Sequence, residues 1–477
     1  MEQSTSVTYP NVLILDYLKR TGKASPEARM KAEQFINLGY QRLLTFEVDG
    51  GGFDWFGQGS AKTVLSAYGL MHLVDMARVA PVDPALIDRT RALLLKRQQP
   101  NGSWPAEGVL HEGGLSGDDA GTTATAYVAW ALARSGHAEE AVGRALIYLE
   151  DRITQDTDAY TLALAANAFA VARPQSAVTR RLVDQLDARK ESGGGAAWWP
   201  AERQTVMHGS GDAATVEATA LAAQAFLASD THRNTVTAAL TYLVRQRAPA
   251  GAWASTQATI LALQALVGGA GGLSERGSGS VAVQVNGRDA GAIQLTEKNS
   301  DVTQQVDLTP YLQAGENRLA LRLQGQARPL YQLVTRSYVP WHGSSTARPQ
   351  TVEIRVRYDR TELRQNDTLL ADVSIRSHHR QPLSMLIADL GLAPGFAPDP
   401  ASLAALQQSR RIERFEVTPR QLILYLRDLA PGAEIRLPVR LRARFPVRAK
   451  TPPATVYEYY NPTHRGITAP VVMGVKI

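Results

Sequence analysis

Five alanine-rich stretches recur along the N-terminal half of the chain, each with apolar side chains at intervals of three and four residues. That spacing gives a helix one buried face, and Ala, Leu and Met favour the helical backbone. We therefore predict five similar helices, preceded by a buried helix around residues 9–18. The five stretches are residues 63–74, 122–133, 161–171, 215–227 and 256–267.

A glycine-containing turn followed by a tryptophan occurs four times, each before a new helix starts at a threonine. The first tryptophans of these turns are Trp55, Trp104, Trp198 and Trp253, and the widest gap leaves room for a degenerate unit at residues 158–161. A period of roughly fifty residues with paired helices predicts helical hairpins that close into an α/α toroid. We interpret the tryptophans as structural residues that cap the interior of the ring.

A glycine-rich segment at residues 268–279 follows the last helix, and beyond it the apolar pattern alternates with a period of two. Alternation of this kind is typical of strands that bury one face. We predict a thin set of strands first, and then a unit long enough for an independent β-sandwich, interrupted by one short helix at residues 400–408. The predicted strands are residues 281–285, 292–295, 319–323, 330–338, 352–356, 369–375, 421–426 and 435–441.

Composition excludes several classes of site and protein. The 477 residues include no cysteine, so the chain itself holds no disulfide, thiolate metal site or cysteine nucleophile. No apolar run reaches the roughly twenty residues that span a bilayer, and the first six residues do not resemble a signal peptide. The net charge of +6 is spread along the chain without a basic block, which argues against nucleic-acid binding.

Toroids with glycine–aromatic turns also occur in terpene cyclases and protein prenyltransferases, so an enzyme is an alternative interpretation. The cyclases need an aspartate cluster that protonates an alkene, whereas this chain offers only Asp118–Asp119 and the pair Asp156 and Asp158. The prenyltransferases need a zinc site that includes a cysteine, which is absent. No phosphate-binding loop of the Walker type occurs either.

His111 is the histidine whose position most suggests a function. It lies in an irregular segment between a Gly–Trp turn and a predicted helix, which places it on the rim of the toroid. The residues alone favour an ordinary surface-loop histidine over a functional one. His72 is predicted to lie on a helix, as a packing or a surface residue, and His378 and His379 are predicted to form a solvated pair in a turn.

Three parts of the sequence resemble the alpha-2-macroglobulin family, in its bacterial type, and the related complement thioester proteins. Residues 2–18, from Glu-Gln to Tyr-Pro-Asn-Val-Leu-Ile-Leu-Asp-Tyr-Leu, are similar to the segment after the thioester cysteine. Residues 251–266 resemble the last helical hairpin of the thioester domain. Residues 387–389, 395–396 and 456–460 resemble the C-terminal receptor-binding sandwich. The resemblance covers nearly the whole chain, with the domains in the family's order.

In that family a cysteine and a glutamine of the motif Cys-x-Glu-Gln form an internal thioester. The resemblance implies that Gln3 is the acyl donor, Glu2 its motif neighbour and Met1 the x residue, with the cysteine one place ahead of Met1. Either the sequence starts just after that cysteine or a start codon replaced it, and in both cases Gln3 is expected to be an ordinary amide here. Complement relatives carry a rim histidine that directs acyl transfer towards hydroxyls, and His111 falls at the matching place.

The resemblance also implies a multidomain α plus β fold. Residues 1–272 are expected to form the thioester-type α/α toroid, residues 276–346 the second half of a CUB-like β-sandwich, and residues 347–477 a receptor-binding-like or macroglobulin-type β-sandwich. The vertebrate receptor-binding helix uses lysines where this sequence has Pro400 and Ala404. A structural or docking role is therefore expected for the last domain.

The implied function is that of a C-terminal fragment of a broad-spectrum protease inhibitor, and not of an enzyme. The whole protein would trap proteases after they cleave a bait segment and would link them through the thioester. No cofactor and no metal is expected, and the partners would be target proteases and periplasmic or membrane-associated proteins. A periplasmic, defence-like role with a membrane anchor upstream of this fragment is expected. The alternatives are a thioester-less docking scaffold of the same family and a terpene-cyclase-like enzyme.

Overall fold

A computed structural model describes most of the chain. The described residues are 1–22, 25–106, 120–201, 203–248, 251–270, 278–296, 299, 304–327, 329, 331–337, 350–380, 382–383, 385–459 and 461–477. For Glu2, Gln3, Ser6 and Ala270 the description covers the backbone only. Within these residues, helices occupy the N-terminal half and strands the remainder, so the predicted α plus β fold class is confirmed.

Eleven helices of the described part precede the first long strand, and they include all of the helices predicted from the alanine-rich pattern. They are α1 (Glu2–Arg20), α2 (Pro26–Leu44), α3 (Thr63–Ala77), α4 (Pro84–Lys96), α5 (Ala120–Ser135), α6 (Glu139–Arg152), α7 (Ala159–Ala172), α8 (Ala177–Ala188), α9 (Gly211–Ala228), α10 (Arg233–Arg245) and α11 (Thr256–Ala270).

The odd-numbered helices form a closed inner ring, in which α1 packs on α3 and on α11, and each of the others packs on its two odd-numbered neighbours. The even-numbered helices α2 to α10 each pack outside the helix that precedes them. Sequence composition explains the two layers. Helices α3, α5, α7 and α9 are buried on almost every side, whereas α4, α6, α8 and α10 bury one stripe and expose charged residues on the other. The predicted toroid is confirmed.

The glycine–aromatic turns hold the two layers together through paired hydrogen bonds. The indole nitrogens of Trp104, Trp199 and Trp253 donate to carbonyl oxygens near the end of the preceding outer helix, at 2.7–2.8 Å. Their backbone amides donate to threonine hydroxyls in the first half of the next inner helix, at 3.0–3.2 Å. The prediction that these tryptophans are structural therefore agrees with the geometry.

In the first turn, Phe53 and not Trp55 occupies the equivalent position. The Phe53 amide donates to the Ser66 hydroxyl (2.9 Å), as the tryptophan amides do in the later turns. In the third turn the equivalent residue is Trp199 rather than Trp198, whose indole instead bonds Glu191 (3.0 Å). Indexing the repeat on the first tryptophan of each turn is therefore wrong in two of the four, because hydrogen bonding and burial define the position and the residue type does not.

Glycine is required in these turns because an outer helix passes close behind them. A Cβ on Gly102 would come within 2.5 Å of the Arg144 carbonyl oxygen, and a Cβ on Gly51 within 2.6 Å of the Arg89 backbone. Both glycines also have a positive φ, of 87° and 116°, which favours a residue without a side chain. Short two-stranded ribbons flank two of the turns. Their strands are β1 (Glu47–Val48) with β2 (Gly52–Phe53), and β3 (Glu191–Gly193) with β4 (Ala196–Trp198).

A three-stranded antiparallel sheet follows the toroid, in the order β6-β5-β7. Its strands are β5 (Gly279–Val285), β6 (Arg288–Leu295) and β7 (Leu319–Gly325). The strand predicted at residues 330–338 is wrong for its described part, since residues 331–337 are exposed and belong to no strand. A strand needs a hydrogen-bonded neighbour, and none of the three described strands pairs with this segment.

The C-terminal part forms a β-sandwich with its own apolar core, as predicted. The sheet orders are β12-β15-β10-β8, β13-β14-β11-β17-β18 and β16-β19-β9, and the short helix α12 covers one side of the core. Its elements are β8 (Val352–Tyr358), β9 (Glu362–Arg364), β10 (Thr368–Ser377), β11 (Leu386–Gly391), β12 (Phe396–Pro398), α12 (Pro400–Gln408), β13 (Arg414–Val417), β14 (Gln421–Leu426), β15 (Glu434–Ala443), β16 (Val447–Lys450), β17 (Thr455–Glu458), β18 (Asn461–Ile467) and β19 (Val472–Lys476).

Candidate functional site

The predicted acyl donor lies in the first turn of α1, at the end of the ring where the inner helices begin. Gln3 and Glu2 are the second and first residues of that helix, and their side chains lie outside the described residues. His111 also lies outside the described residues, which end at Ala106 and resume at Ala120, the first residue of α5. The structure therefore gives the backbone position of the motif but does not test the roles predicted for these three residues.

The backbone of Met1 is fixed against the loop that follows β2. Its nitrogen donates to the Trp55 carbonyl oxygen (2.7 Å), and its own carbonyl oxygen accepts from the amides of Ser4 and Thr5. The Met1 side chain is buried, and its terminal methyl group lies against Gly69 of α3, where a Cβ would approach within 3.1 Å. The start of the motif is thus held between the first turn and α3.

The loop that presents Trp55 is organised by the carboxylate of Asp54. One Asp54 oxygen accepts hydrogen bonds from the amides of Phe56, Gln58 and Gly59 at 3.1–3.2 Å. Partial burial works against ionisation of Asp54, but these amides outweigh it and lower the pKa of the carboxyl group. The result is a rigid turn that fixes the Trp55 carbonyl. The Trp55 indole nitrogen is buried and has no hydrogen-bond partner among the described residues.

His208 faces Trp55 from a tight turn ahead of α9, with the two ring centroids 6.1 Å apart. The Thr205 amide donates to the Gly209 carbonyl oxygen (2.9 Å), and the His208 amide donates to the Thr205 carbonyl oxygen (3.0 Å). The Gly209 amide donates to the Thr205 hydroxyl (2.9 Å). His208 is buried and has a positive φ of 63°. Sequence reasoning missed it, because nothing in the local pattern shows that this turn meets the first one.

The Glu217 side chain of α9 packs against the same turn at Gly209. Its carboxylate lies so close to Gly209 that any side chain there would collide with it, and the Ser255 hydroxyl donates to it at 3.3 Å. Glu217 is fully buried. The burial of Tyr160, and then the negative charge of Glu217, raise the pKa of the Tyr160 hydroxyl well above its usual value. A glutamate among the alanines in the middle of the helix is the sequence feature that could have drawn attention to it.

A second polar network ties α1 to the ring one turn further in. The Thr5 and Tyr68 hydroxyls lie 2.5 Å apart, and the Tyr9 hydroxyl donates to Asp75 (2.6 Å). Arg134 contacts both Asp75 carboxylate oxygens at 2.8 Å. Burial, and then the Asp75 charge, raise the pKa of Tyr9 well above its usual value, so the hydroxyl stays protonated and can donate.

The two predictions about other histidines can also be compared with the structure. His72 of α3 is buried and stacks on Tyr9, with ring centroids 4.3 Å apart, which agrees with the packing role. Burial lowers the pKa of His72 to about 4. His378 and His379 do not converge on one ligand, since His378 lies 3.3 Å from Glu353 whereas the His379 ring packs on His464.

Metal-binding clusters and membrane-spanning helices are other features that could indicate a function. Across the described residues, no three His, Asp or Glu side chains converge in a way that could hold a metal ion. None of the described helices has the length and apolar character needed to cross a membrane.

The C-terminal sandwich contacts the end of the ring at which the inner helices begin. Gly211, the first residue of α9, lies next to the Asn461 side-chain amide of β18.

Comparison with known proteins assigns the family. A family model described as the A-macroglobulin TED domain matches residues 1–268, which is more than half of the chain. The chain belongs to the alpha-macroglobulin family. A second model, described as the A-macroglobulin receptor binding domain, matches residues 381–469. At the level of the family, the alpha-macroglobulin assignment places the chain among protease-inhibitor homologues rather than among enzymes.

Individual alpha-macroglobulins align with nearly the whole chain. Ovostatin of Gallus gallus is 23% identical over 493 residues, covering 96% of this chain and 32% of ovostatin. The crystal structure of Salmonella alpha-2-macroglobulin reacted with methylamine has a TM-score of 0.69 at 17% identity, covering 100% of this chain and 30% of that one. Native Escherichia coli alpha-2-macroglobulin, from domain MG7 to the C-terminus, has a TM-score of 0.66 at 17% identity, covering 98% and 72%. The chain thus spans about a third of the length of ovostatin.

Proposed function

We propose that this chain is the C-terminal part of a broad-spectrum protease trap, in which Gln3 supplies the carbonyl carbon of an internal thioester. The observation that carries the proposal is the match of the thioester-type domain over residues 1–268, with the Glu2–Gln3 pair at the start of its first inner helix. The partner would be the cysteine of the Cys-x-Glu-Gln motif, one residue ahead of Met1 in a longer chain.

The environment of the motif suits a reactive acyl group. A thioester is an activated acyl group that persists only while water and amines are kept away. Met1 is buried at this end of the ring and bonds Trp55, and Trp55 and the His208 ring that packs on it are buried as well. Cleavage of a bait segment in the whole protein would expose the thioester, and a lysine or hydroxyl of the protease would attack the Gln3 carbonyl.

The remaining parts of the chain take supporting roles in this proposal. Residues 1–272 would form the thioester-type domain, residues 276–346 the second half of a CUB-like domain and residues 347–477 the receptor-binding-like domain. Pro400 and Ala404 replace the lysines of a receptor-binding helix, so the last domain would dock within the protein or on a periplasmic partner. The whole protein would be periplasmic, with its membrane anchor upstream, and would take no cofactor.

The first test is the residue that the gene encodes immediately ahead of Met1, followed by expression of the extended chain. With a cysteine there, methylamine should release one thiol per molecule and add one methylamide to Gln3, as measured by thiol titration and mass spectrometry. The Gln3→Asn variant should release none, whereas Gln34→Asn, at an exposed position of α2, should behave as the parent. A cysteine without thiol release contradicts the proposal, and another residue at that place favours the thioester-less scaffold.

The same extended chain tests the role proposed for His111. If His111 directs acyl transfer towards hydroxyls, His111→Asn should shift the product ratio from glycerol ester to methylamide when both nucleophiles are present. Equal product ratios in parent and variant would remove His111 from the mechanism while leaving the thioester proposal intact.

A further inference from the structure

His208 has a backbone conformation that its side chain does not favour. Nine non-glycine residues of the described part have a positive φ, and His208 is the only buried one among them. The others, which include His137 and His232, lie at positions with solvent exposure. A strained residue persists where the surrounding structure fixes it, and such residues cluster at functional sites.

The surroundings of His208 fix it from two sides. Thr205 accepts hydrogen bonds from the His208 amide through its carbonyl oxygen and from the Gly209 amide through its hydroxyl. On the other side, the Glu217 carboxylate of α9 packs against Gly209. Glu217 is in turn bonded to Ser255 at the start of α11. The turn is therefore held to the two inner helices α9 and α11.

Trp55 links His208 to the start of the proposed thioester motif. The His208 ring packs on Trp55, whose carbonyl oxygen bonds the Met1 nitrogen. Met1 lies between the expected cysteine and the Glu2–Gln3 pair. The titratable groups that face the turn in the described part are the Glu217 carboxyl of α9 and the Tyr160 hydroxyl, which lies 3.4 Å from the Val206 amide.

We infer that His208 accepts the proton of the attacking nucleophile during acyl transfer, an inference that rests on the proposed thioester. The amine or hydroxyl of the target would attack the Gln3 carbonyl carbon and form an amide or ester bond, while the carbon–sulfur bond breaks. The proton of the nucleophile would pass to the His208 imidazole and from there to the departing sulfur, which leaves as a thiol. Imidazole suits this task because it exchanges protons near neutral pH.

His208→Gly in the extended chain is the decisive variant. Glycine adopts the left-handed backbone without strain, which offsets part of the cost of the cavity that the imidazole leaves, so the variant should stay folded, whereas methylamine-induced thiol release should slow by roughly a hundredfold. Added imidazole, which can enter the space left by the side chain, should restore a large part of the rate and its pH dependence. A purely structural role would not respond to imidazole.

The matched control is His232→Gly, which removes a second left-handed histidine (φ 50°), at the N-terminus of the outer helix α10. It should leave the rate and its pH profile unchanged. An unaltered rate in a folded His208→Gly variant, or a loss that imidazole does not restore in either that variant or His208→Asn, would overturn the inference. Absence of thiol release from the parent protein would instead contradict the proposed function.

Discussion

The first turn of the toroid and the three later tryptophan turns come from the same repeat but differ in what their aromatic residues contact. In the later turns a buried tryptophan bonds the preceding outer helix through its indole nitrogen. In the first turn Phe53 takes that position, and Trp55 instead binds the Met1 nitrogen through its carbonyl oxygen and packs on His208. All four turns therefore keep the hydrogen bond from a buried aromatic residue's amide to the next inner helix, and the first turn has an additional tryptophan that bonds Met1.

The largest expected loss of stability is at Trp199, and its neighbour Trp198 in the third turn provides the matched comparison. Trp199 is fully buried and bonded to Leu186, whereas Trp198 is half-buried and stacks on Tyr242. Trp199→Ala should lower the free energy of unfolding by about 3–5 kcal/mol, the usual cost of a large aromatic cavity. Trp198→Ala should cost less than half of that. Urea unfolding followed by circular dichroism at the helical band measures both, and equal losses would contradict the assignment of Trp199 to the repeat position.

The α3 helix that follows the first turn should make the toroid sensitive to acid through His72. Burial lowers the pKa of His72 to about 4, below the roughly 6.5 of an unfolded histidine. Between these values the unfolded chain binds the proton more readily than the folded chain, so stability falls as the pH drops from about 6.5 to about 4. The loss should reach about 3 kcal/mol and should be absent in His72→Leu. Parallel pH profiles for the two proteins would show that other groups cause the effect.

The smallest expected difference concerns the indole nitrogens themselves. Trp104→Phe removes the indole bond to the Leu94 carbonyl oxygen, which then accepts only from the Arg97 amide (3.2 Å), at a cost of about 1 kcal/mol. Trp55→Phe removes no hydrogen bond among the described residues and should cost less than about 1 kcal/mol. Thermal unfolding of the two variants compares them directly. A larger cost for Trp55→Phe would place Trp55 among the structural tryptophans after all.

Secondary structure was largely predictable because hydrophobic periodicity reports it locally. The helix at Pro400–Gln408 and the strand at Gln421–Leu426 have the bounds that their patterns predicted. The strand predicted at residues 330–338 failed over its described part, since an alternating pattern shows that a segment can form a strand but not that a partner strand lies beside it.

The sequence alone determined the ring and the sandwich, because periodicity is a property of neighbouring residues along the chain. Only the tertiary structure decided that Phe53 and Trp199 are the repeat positions and that His208 faces Trp55. These contacts join segments far apart in the sequence, and they depend on how the inner helices close on each other. Local sequence patterns do not contain that information, and so the contact between Trp55 and His208 could be identified only in the folded ring.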